Sequence, residues 1–468
     1  MTLEPLLVAV QWVFLGFFLL LNGTYLALNG IAIVGMRRYL HASGAAERVY
    51  AHLELPVSLI VPAYNEQATI VASVRALLQL RYQLYEVIVV NDGSRDGTLA
   101  ELEREFALEP FPEAYHVQVP SKPVRRIYRS RTHPNLRVID KENGGGKADA
   151  SNAGLNAARY PLVYCGDADS VLDPGALERV VRPFLEDSRT VACGGTVRIV
   201  NGCKVRGGFL ESIGLPRNPL ALVQIVEYLR AFLGGRMGWS PMNALLIVSG
   251  AFGIFHRQTL IDVGGWRSDV IGEDMELVLR LHRVLSARRR PYRISFVPDP
   301  VVWTETPEDF ATLARQRKRW QRGLAESLWE NRAIAFSRHG GVAGWIAFPF
   351  FVLFELFGPL LEVSGYVVMT VTAALGILSA ESFFAFMAVA IGLGVLLSTS
   401  ALLLEELSFR CYPRARDMFI LAAVAVVENL GYRQLTAFWR LQALVGWMFR
   451  REIKWGVMKR HASWLEKG

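Results

Sequence analysis

The tripeptide Asp167-Ala168-Asp169 closes an apolar, strand-forming run from Tyr160 to Gly166. Strand residues at i and i+2 point to the same side. If the strand continues through Asp169, both carboxylates face one way at its carboxyl end, where open α/β sheets bind ligands. Two like charges held together repel unless a cation sits between them. Hard divalent cations such as Mg2+ take oxygen ligands and share them with substrate phosphates. A solvated loop that carries Asp-x-Asp is the plain alternative. Gly144-Gly145-Gly146-Lys147 offers a backbone that can approach phosphates and a charge to meet them, or simply a flexible loop. It is not the G-x-x-x-x-G-K-[ST] pattern. Asp274, in Gly272-Glu273-Asp274, opens an apolar helix. An acidic helix N-terminus accounts for it, and so does a general base beside an attacking hydroxyl. Gln316-Arg317-Lys318-Arg319-Trp320-Gln321-Arg322-Gly323 combines cations that suit diphosphate oxygens with a flat indole platform for a sugar. A basic helix near anionic lipid explains the charge alone, not Trp320 or Gln316.

These residues need elements to carry them. Val57–Pro62 and Tyr85–Val90 read as strands, each closed by a polar turn: Ala63-Tyr64-Asn65-Glu66 and Asn91-Asp92-Gly93-Ser94. Helices are expected from Gln67 to Leu80 and from about Asp96 to Phe106. Leu136–Ile139 is a third strand and leads into the glycine run. A helix from about Ala148 to Ala158 follows, and then the strand that ends at Asp167. Strand alternating with helix predicts parallel pairing with crossovers. Asn65-Glu66, Asp92, Lys147, Asp167 and Asp169 then gather at neighbouring carboxyl ends, although Asp92-Gly93 alone would pass as a turn. Leu108 to Asn135, with its prolines and charges, is expected to be a long surface excursion.

The composition adds a membrane. Of 468 residues, 52% are hydrophobic and 20% charged, so apolar and polar units must be segregated. Leu6–Val34 is long enough to cross a bilayer and lacks the basic n-region of a cleaved leader. Met36-Arg37-Arg38 follows it, which puts the amino terminus outside and residue 37 onward in the cytoplasm. Trp345–Leu378 and Phe383–Leu404 read as two further spans, and 416–446 as a re-entrant or interfacial hairpin that leaves the basic tail inside. The expected units are 1–38, one transmembrane helix; 39–335, a soluble α/β domain; 336–448, transmembrane and interfacial helices; and 449–468, a cytoplasmic tail. The net charge of +8 sits beside membrane segments rather than on a separate domain, which argues against nucleic-acid binding. Cys165, Cys193, Cys203 and Cys411 show no CxxC or disulfide spacing and read as reduced.

The ordered set Val61-Pro62-Ala63-Tyr64-Asn65-Glu66, Asn91-Asp92-Gly93-Ser94-Arg95-Asp96, Gly146-Lys147-Ala148, Asp167-Ala168-Asp169, Gly272-Glu273-Asp274 and Gln316-x-x-Arg319-Trp320 resembles the membrane-integrated family 2 glycosyltransferases. Among these are cellulose, chitin, hyaluronan and poly-N-acetylglucosamine synthases. The resemblance covers about residues 56–325 and the flanking membrane layout. It implies a cytoplasmic α/β GT-A (Rossmann-like) domain with α-helical transmembrane segments, in a multi-pass protein of the inner or plasma membrane. It implies a UDP-sugar donor, with Tyr64, Glu66 and Asp92 on the nucleoside and Lys147 on the diphosphate. Asp167 and Asp169 would line the metal and diphosphate site for Mg2+ or Mn2+, with Asp169 the direct ligand. Asp274 would be the base of a single inverting displacement. Gln316, Arg319 and Trp320 would cover the donor pocket, with Trp320 stacked on the acceptor sugar. Ser249, Gly250, Phe252 and Glu273 would lie near the acceptor terminus. Ser249-Gly250-Ala251-Phe252-Gly253 departs from the acceptor motifs of cellulose and hyaluronan synthases, and no carboxyl-terminal cyclic-dinucleotide domain is expected.

Two activities follow from the resemblance: extension and export of a β-linked polysaccharide, and transfer of one sugar to a membrane lipid. Either leaves room for an accessory subunit. A degenerate receptor would be expected to have lost Asp92, Asp167, Asp169 and Asp274, which are all present.

Overall fold

The computed structural model describes residues 4–50 and 53–450. Most of the expected tail at 449–468 lies outside the described residues. A ten-stranded mixed sheet forms the centre of the α/β unit. The strands are β1 Val57–Ala63, β2 Tyr85–Asn91, β3 Leu108–Pro110, β4 Val124–Ser130, β5 Leu136–Lys141, β6 Leu162–Gly166, β7 Val171–Leu172, β8 Thr190–Ile199, β11 Phe252–His256 and β12 Arg293–Thr304, with β9 Lys204–Arg206 and β10 Phe209–Ser212 in a separate hairpin. Their order across the sheet is β3-β4-β5-β2-β1-β6-β11-β8-β12-β7.

The block β5-β2-β1-β6 is parallel throughout. Its strands are buried runs rich in Val, Ile and Leu, as expected where helices cover both faces. Parallel pairing brings four carboxyl ends to one edge, and the helices Ile70–Leu78, Thr98–Phe106 and Lys147–Ala157 make the crossovers. Beyond β6 the sheet is mixed: β11 is antiparallel to both β6 and β8, and β12 is parallel to β8.

Two expectations need correction here. The stretch 108–135 is not only a surface excursion. It contributes β3 and β4, which extend the sheet edge by antiparallel pairing onto β5. The strand of Tyr164 does not continue through Asp169. It ends at Gly166, and the chain turns at once, the Ser170 amide donating to the Asp167 carbonyl at 3.2 Å.

Ala9–Ala42, Ala380–Ser408 and Ala415–Met448 are long and apolar enough to cross a membrane. Ala343–Leu356 and Gly358–Ala374, bent by 44° at their junction, give a fourth span if taken together. The stretch expected as a hairpin is two helices, Ala415–Val427 and Arg433–Met448, joined where Leu430 and Gly431 leave helical geometry. The second of these packs on the Phe310–Glu330 helix, pairing Phe310 with Trp439 and Trp329 with Trp447. Arg198 of β8 forms an almost fully buried ion pair with Glu405 of the Ala380–Ser408 helix. Burying a charge is tolerable only when it is paired, so this contact fixes the sheet against the apolar helices.

Candidate active site

The carboxyl ends of the sheet and the helices facing them enclose a cavity of about 870 Å3. Asp167 and Asp169 reach it from the turn after β6. Lys147 reaches it from the first turn of its helix, donating to Asp167 Oδ1 at 2.7 Å and to the Gly250 carbonyl at 2.5 Å. Burial works to lower the pKa of Lys147, but the Asp167 carboxylate, with Cys165 and Glu273 adding to it, holds the ammonium above the usual lysine range.

Asp274 stands in the first turn of the Glu273–Ala287 helix. Its Oδ2 accepts from the Gly250 amide at 2.9 Å and its Oδ1 from the Met275 amide at 2.8 Å. Two backbone donors fix the carboxylate plane and leave a further lone pair on each oxygen. Burial and the adjacent Asp274 charge push the neighbouring carboxyl, Glu273, up to about 7. The helix start is held in place from behind. A Cβ on Gly272 would come within 3.0 Å of the Gly323 backbone, so two glycines let this turn pack directly on the Phe310–Glu330 helix. Ser327 Oγ donates to the Gly272 carbonyl at 3.1 Å across the same contact.

The Phe310–Glu330 helix is capped by Asp309, which accepts from the Thr312 amide at 2.8 Å. Gln316, Arg319 and Trp320, at i, i+3 and i+4, share one helical face, and all three line the cavity. Trp320 is 43% exposed, with the Arg317 guanidinium 4.3 Å from its ring, so its other surface is available to a ligand. The cavity continues past Trp320 to Phe351, Glu355 and Arg440, on or beside the apolar helices.

Ten of the residues expected from sequence therefore line one cavity: Lys147, Asp167, Asp169, Ser249, Gly250, Glu273, Asp274, Gln316, Arg319 and Trp320. Tyr64, Glu66, Asp92 and Phe252 do not line it. Tyr64 is 45% exposed on the turn after β1. Glu66 accepts from Thr69 Oγ1 at 2.8 Å. Asp92 is buried, accepting from Lys141 Nζ at 2.5 Å and the Gly144 amide at 3.0 Å. That ties the β2 turn to the glycine run. Phe252 is fully buried in β11 against the Tyr164 ring. Sequence reading missed Glu227, Tyr228, Phe232 and Arg236, which form another wall of the cavity. Their four-residue spacing from Tyr228 to Arg236 was the available signal.

Among the described residues, no group of three or more His, Cys, Asp or Glu side chains could hold a metal alone. Asp167 and Asp169 bring hard oxygens to one cavity beside Lys147. One or two carboxylates completed by substrate phosphates is how Mg2+-like ions are commonly bound, so the donor set fits a cation that arrives with a diphosphate.

Glycosyl transferase family group 2 matches residues 162–399, just over half of the chain. The chain belongs to this family. Glycosyl transferase family 2 matches residues 58–210, so the two matches together take in every site residue expected from sequence. The poly-beta-1,6-N-acetyl-D-glucosamine synthase of Staphylococcus aureus (strain COL) is 29% identical over 272 residues, 58% of this chain and 55% of that protein. The protein of the same name from Staphylococcus epidermidis matches to the same extent. The chain thus spans about half the length of the curated relatives it matches. Among solved structures, a mannosyltransferase from Pyrobaculum calidifontis in complex with GDP-Man and Mn2+ is 19% identical, with a TM-score of 0.48, over 86% of this chain and 99% of that one. S. aureus TarS 1-349 in complex with UDP-GlcNAc is 17% identical, with a TM-score of 0.40, over 81% and 92% of the two chains. The family group 2 match extends from β6 into the Ala380–Ser408 helix, so it covers the part of the sheet from β6 onward and some of the apolar helices.

Proposed function

We propose that this chain transfers a sugar from a UDP-sugar to the growing end of a β-linked polysaccharide and passes the product across the membrane. One observation carries the reading: Asp274, the Lys147–Asp167 pair and Trp320 share a cavity that runs on to Glu355 and Arg440. A sugar transfer needs a base for the acceptor hydroxyl, charges for the leaving diphosphate and a surface for the acceptor ring. All three are lined up along that cavity. The similarity to poly-beta-1,6-N-acetyl-D-glucosamine synthases supports a polymer as product and N-acetylglucosamine as the sugar to try first.

In this reading the amino terminus lies outside and the α/β unit in the cytoplasm. Tyr64, Glu66 and Asp92 hold the nucleoside, at or behind the edge formed by β1 and β2. Lys147 and Arg319 hold the diphosphate. Asp169 and Asp167 would hold Mg2+ or Mn2+, which would supply positive charge against the departing UDP. Asp274 takes the proton from the acceptor hydroxyl. The acceptor oxygen bonds to the anomeric carbon as the bond to UDP breaks, and the configuration inverts without a covalent enzyme intermediate. The fixed plane of Asp274 keeps one lone pair directed at the acceptor.

The test uses the full chain in membranes, a panel of UDP-sugars and sizing of the product. A long polymer made with release of UDP supports the reading. A single added sugar on a lipid replaces polymer synthesis with lipid glycosylation, and no transfer from any nucleotide sugar overturns both.

A further inference from the structure

One cavity residue has chemistry that the proposed reaction leaves unused. Arg236 closes a seven-residue segment, Arg230–Arg236, that continues the Pro219–Leu229 helix with wider turns. Two arginines bracket this segment and meet different fates. Arg230 donates to Glu428 at 2.5 Å and to Ser398 Oγ at 2.7 Å, so its charge is paired on the side of the apolar helices. Arg236 turns to the catalytic cavity and has no ion pair or hydrogen bond among the described residues. Its Nη1 is shielded from solvent and unsatisfied.

Lys147 pairs with Asp167, Arg317 with Glu227 and Arg440 with Glu355. Arg317 also keeps shielded donors unsatisfied, but its charge is paired, whereas that of Arg236 is not. A shielded guanidinium without a countercharge is costly, so its position favours a ligand it can meet.

The geometry presents that guanidinium like a tool. Its Cζ lies 3.7 Å from the centre of the Phe232 ring. Phe232 is backed in turn by Tyr228 at 5.8 Å and Phe296 at 6.3 Å. A planar cation stacked on a fixed ring is pre-organised, with its donor edge left open. The segment packs closely on the first helix: a Cβ on Gly234 would meet Asn29 Oδ1 at 2.7 Å. The charged group whose field most opposes the effect of burial on Arg236 is Asp274.

We propose that Arg236 recognises the acceptor: its donor edge binds two oxygens of the neutral sugar at the acceptor end and holds that sugar's hydroxyl against Asp274. This rests on the sugar-transfer reading above. The acceptor side is favoured over the donor because Arg236 lies on the wall packed against the first helix, whereas Lys147 and Arg319 already serve a diphosphate. A neutral sugar is favoured over an anion because carboxylates outnumber cations on the cavity lining. A guanidinium fork matches paired oxygens, and the hydrogen bonds are charge-assisted.

The experiment compares wild type, Arg236→Gln and Arg236→Lys as full chains in membranes, with UDP-N-acetylglucosamine as donor and a soluble β-linked N-acetylglucosamine pentasaccharide as acceptor. Acceptor KM and donor KM are measured separately. UDP-induced thermal stabilisation serves as the check on folding. The expected result is an acceptor KM raised at least about 10-fold in Arg236→Gln, less in Arg236→Lys, with donor KM changed less than about 2-fold. An unchanged acceptor KM, or a donor KM that rises equally, overturns the assignment of Arg236 and leaves sugar transfer standing. Wild type that transfers no sugar from UDP-N-acetylglucosamine or from any other nucleotide sugar overturns the underlying reading and this inference with it. Should Arg236→Gln fail the folding check, the decision passes to Arg236→Lys, which keeps the charge but loses the flat fork: a raised acceptor KM supports recognition, and a wild-type value overturns it.

Discussion

The Gly250 amide donates to Asp274 Oδ2 at 2.9 Å, joining the segment before β11 to the start of the Glu273–Ala287 helix. The proposed base is thus aimed by a residue 24 positions away in sequence. A Cβ at Gly250 would come within 3.3 Å of Asp274 Oδ2, closer than the carboxylate can accept without moving. Gly250→Ala is expected to lower kcat for transfer about 10-fold, because small misplacements of a reacting group are costly. UDP affinity should stay within about 2-fold. Equal losses in kcat and UDP binding would show a general collapse instead.

Asp274→Asn keeps the shape of the side chain and removes the proton acceptor. Transfer should fall at least about 100-fold, the range typical of a lost general base. UDP should still protect the protein against heat. Transfer near the wild-type rate would remove Asp274 from this role.

Lys147 and Asp167 neutralise each other at 2.7 Å. Lys147→Met leaves the carboxylate without that partner and takes one charge from the proposed diphosphate site. Donor KM should rise at least about 10-fold, with a smaller change in acceptor KM. Chelation of divalent cations should abolish transfer by wild type, and added Mn2+ or Mg2+ should restore it. Turnover that survives chelation would contradict the role given to Asp167 and Asp169.

His282 clips the Asp274 helix to the segment leading into Ser249 and Gly250. Its Nε2 donates to the Leu245 carbonyl at 2.9 Å, and the Tyr292 hydroxyl donates to Nδ1 at 2.7 Å. Burial lowers its pKa to about 4 from the usual 6.5. A histidine kept neutral in the fold stabilises it above pH 6.5, and that contribution is lost as the pH falls through 4. About 3 kcal/mol is at stake across that window. The thermal midpoint of wild type should fall between pH 6.5 and 4 more steeply than that of His282→Gln. Parallel slopes would remove His282 as the cause.

The resemblance implies a donor contact for Asp92, and its packing shows a structural duty. It shares the fully buried Lys141 with Asp149, at 2.5 and 2.6 Å. Asp92→Ala should destabilise the protein by about 2 kcal/mol, since one carboxylate still faces the lysine. A wild-type melting temperature would contradict that. The β1, β2, β5 and β6 strands and their polar turns could be read locally, because apolar runs closed by Asp, Asn or Gly announce themselves. The remainder depended on partners distant in sequence. β4 carries Arg125, Arg126 and Arg129 and is held as a strand by pairing with β5 and β3. Asp167 and Asp169 meet in the cavity through a turn rather than by strand alternation, since Gly166 ends β6 first. Arg236 sits in a glycine-rich, apolar stretch of the sequence, and only the cavity shows that it lacks an ion pair.

The central claim is that Asp274 and the Lys147–Asp167 pair carry out sugar transfer in one cavity. Membranes containing the full chain should be given UDP-N-acetylglucosamine labelled in the sugar, with Mn2+, alongside membranes carrying Asp274→Asn. The account predicts label in a long polymer for wild type and almost none for Asp274→Asn, with UDP protecting both. Equal incorporation by the two, or none by wild type with any nucleotide sugar, would contradict it.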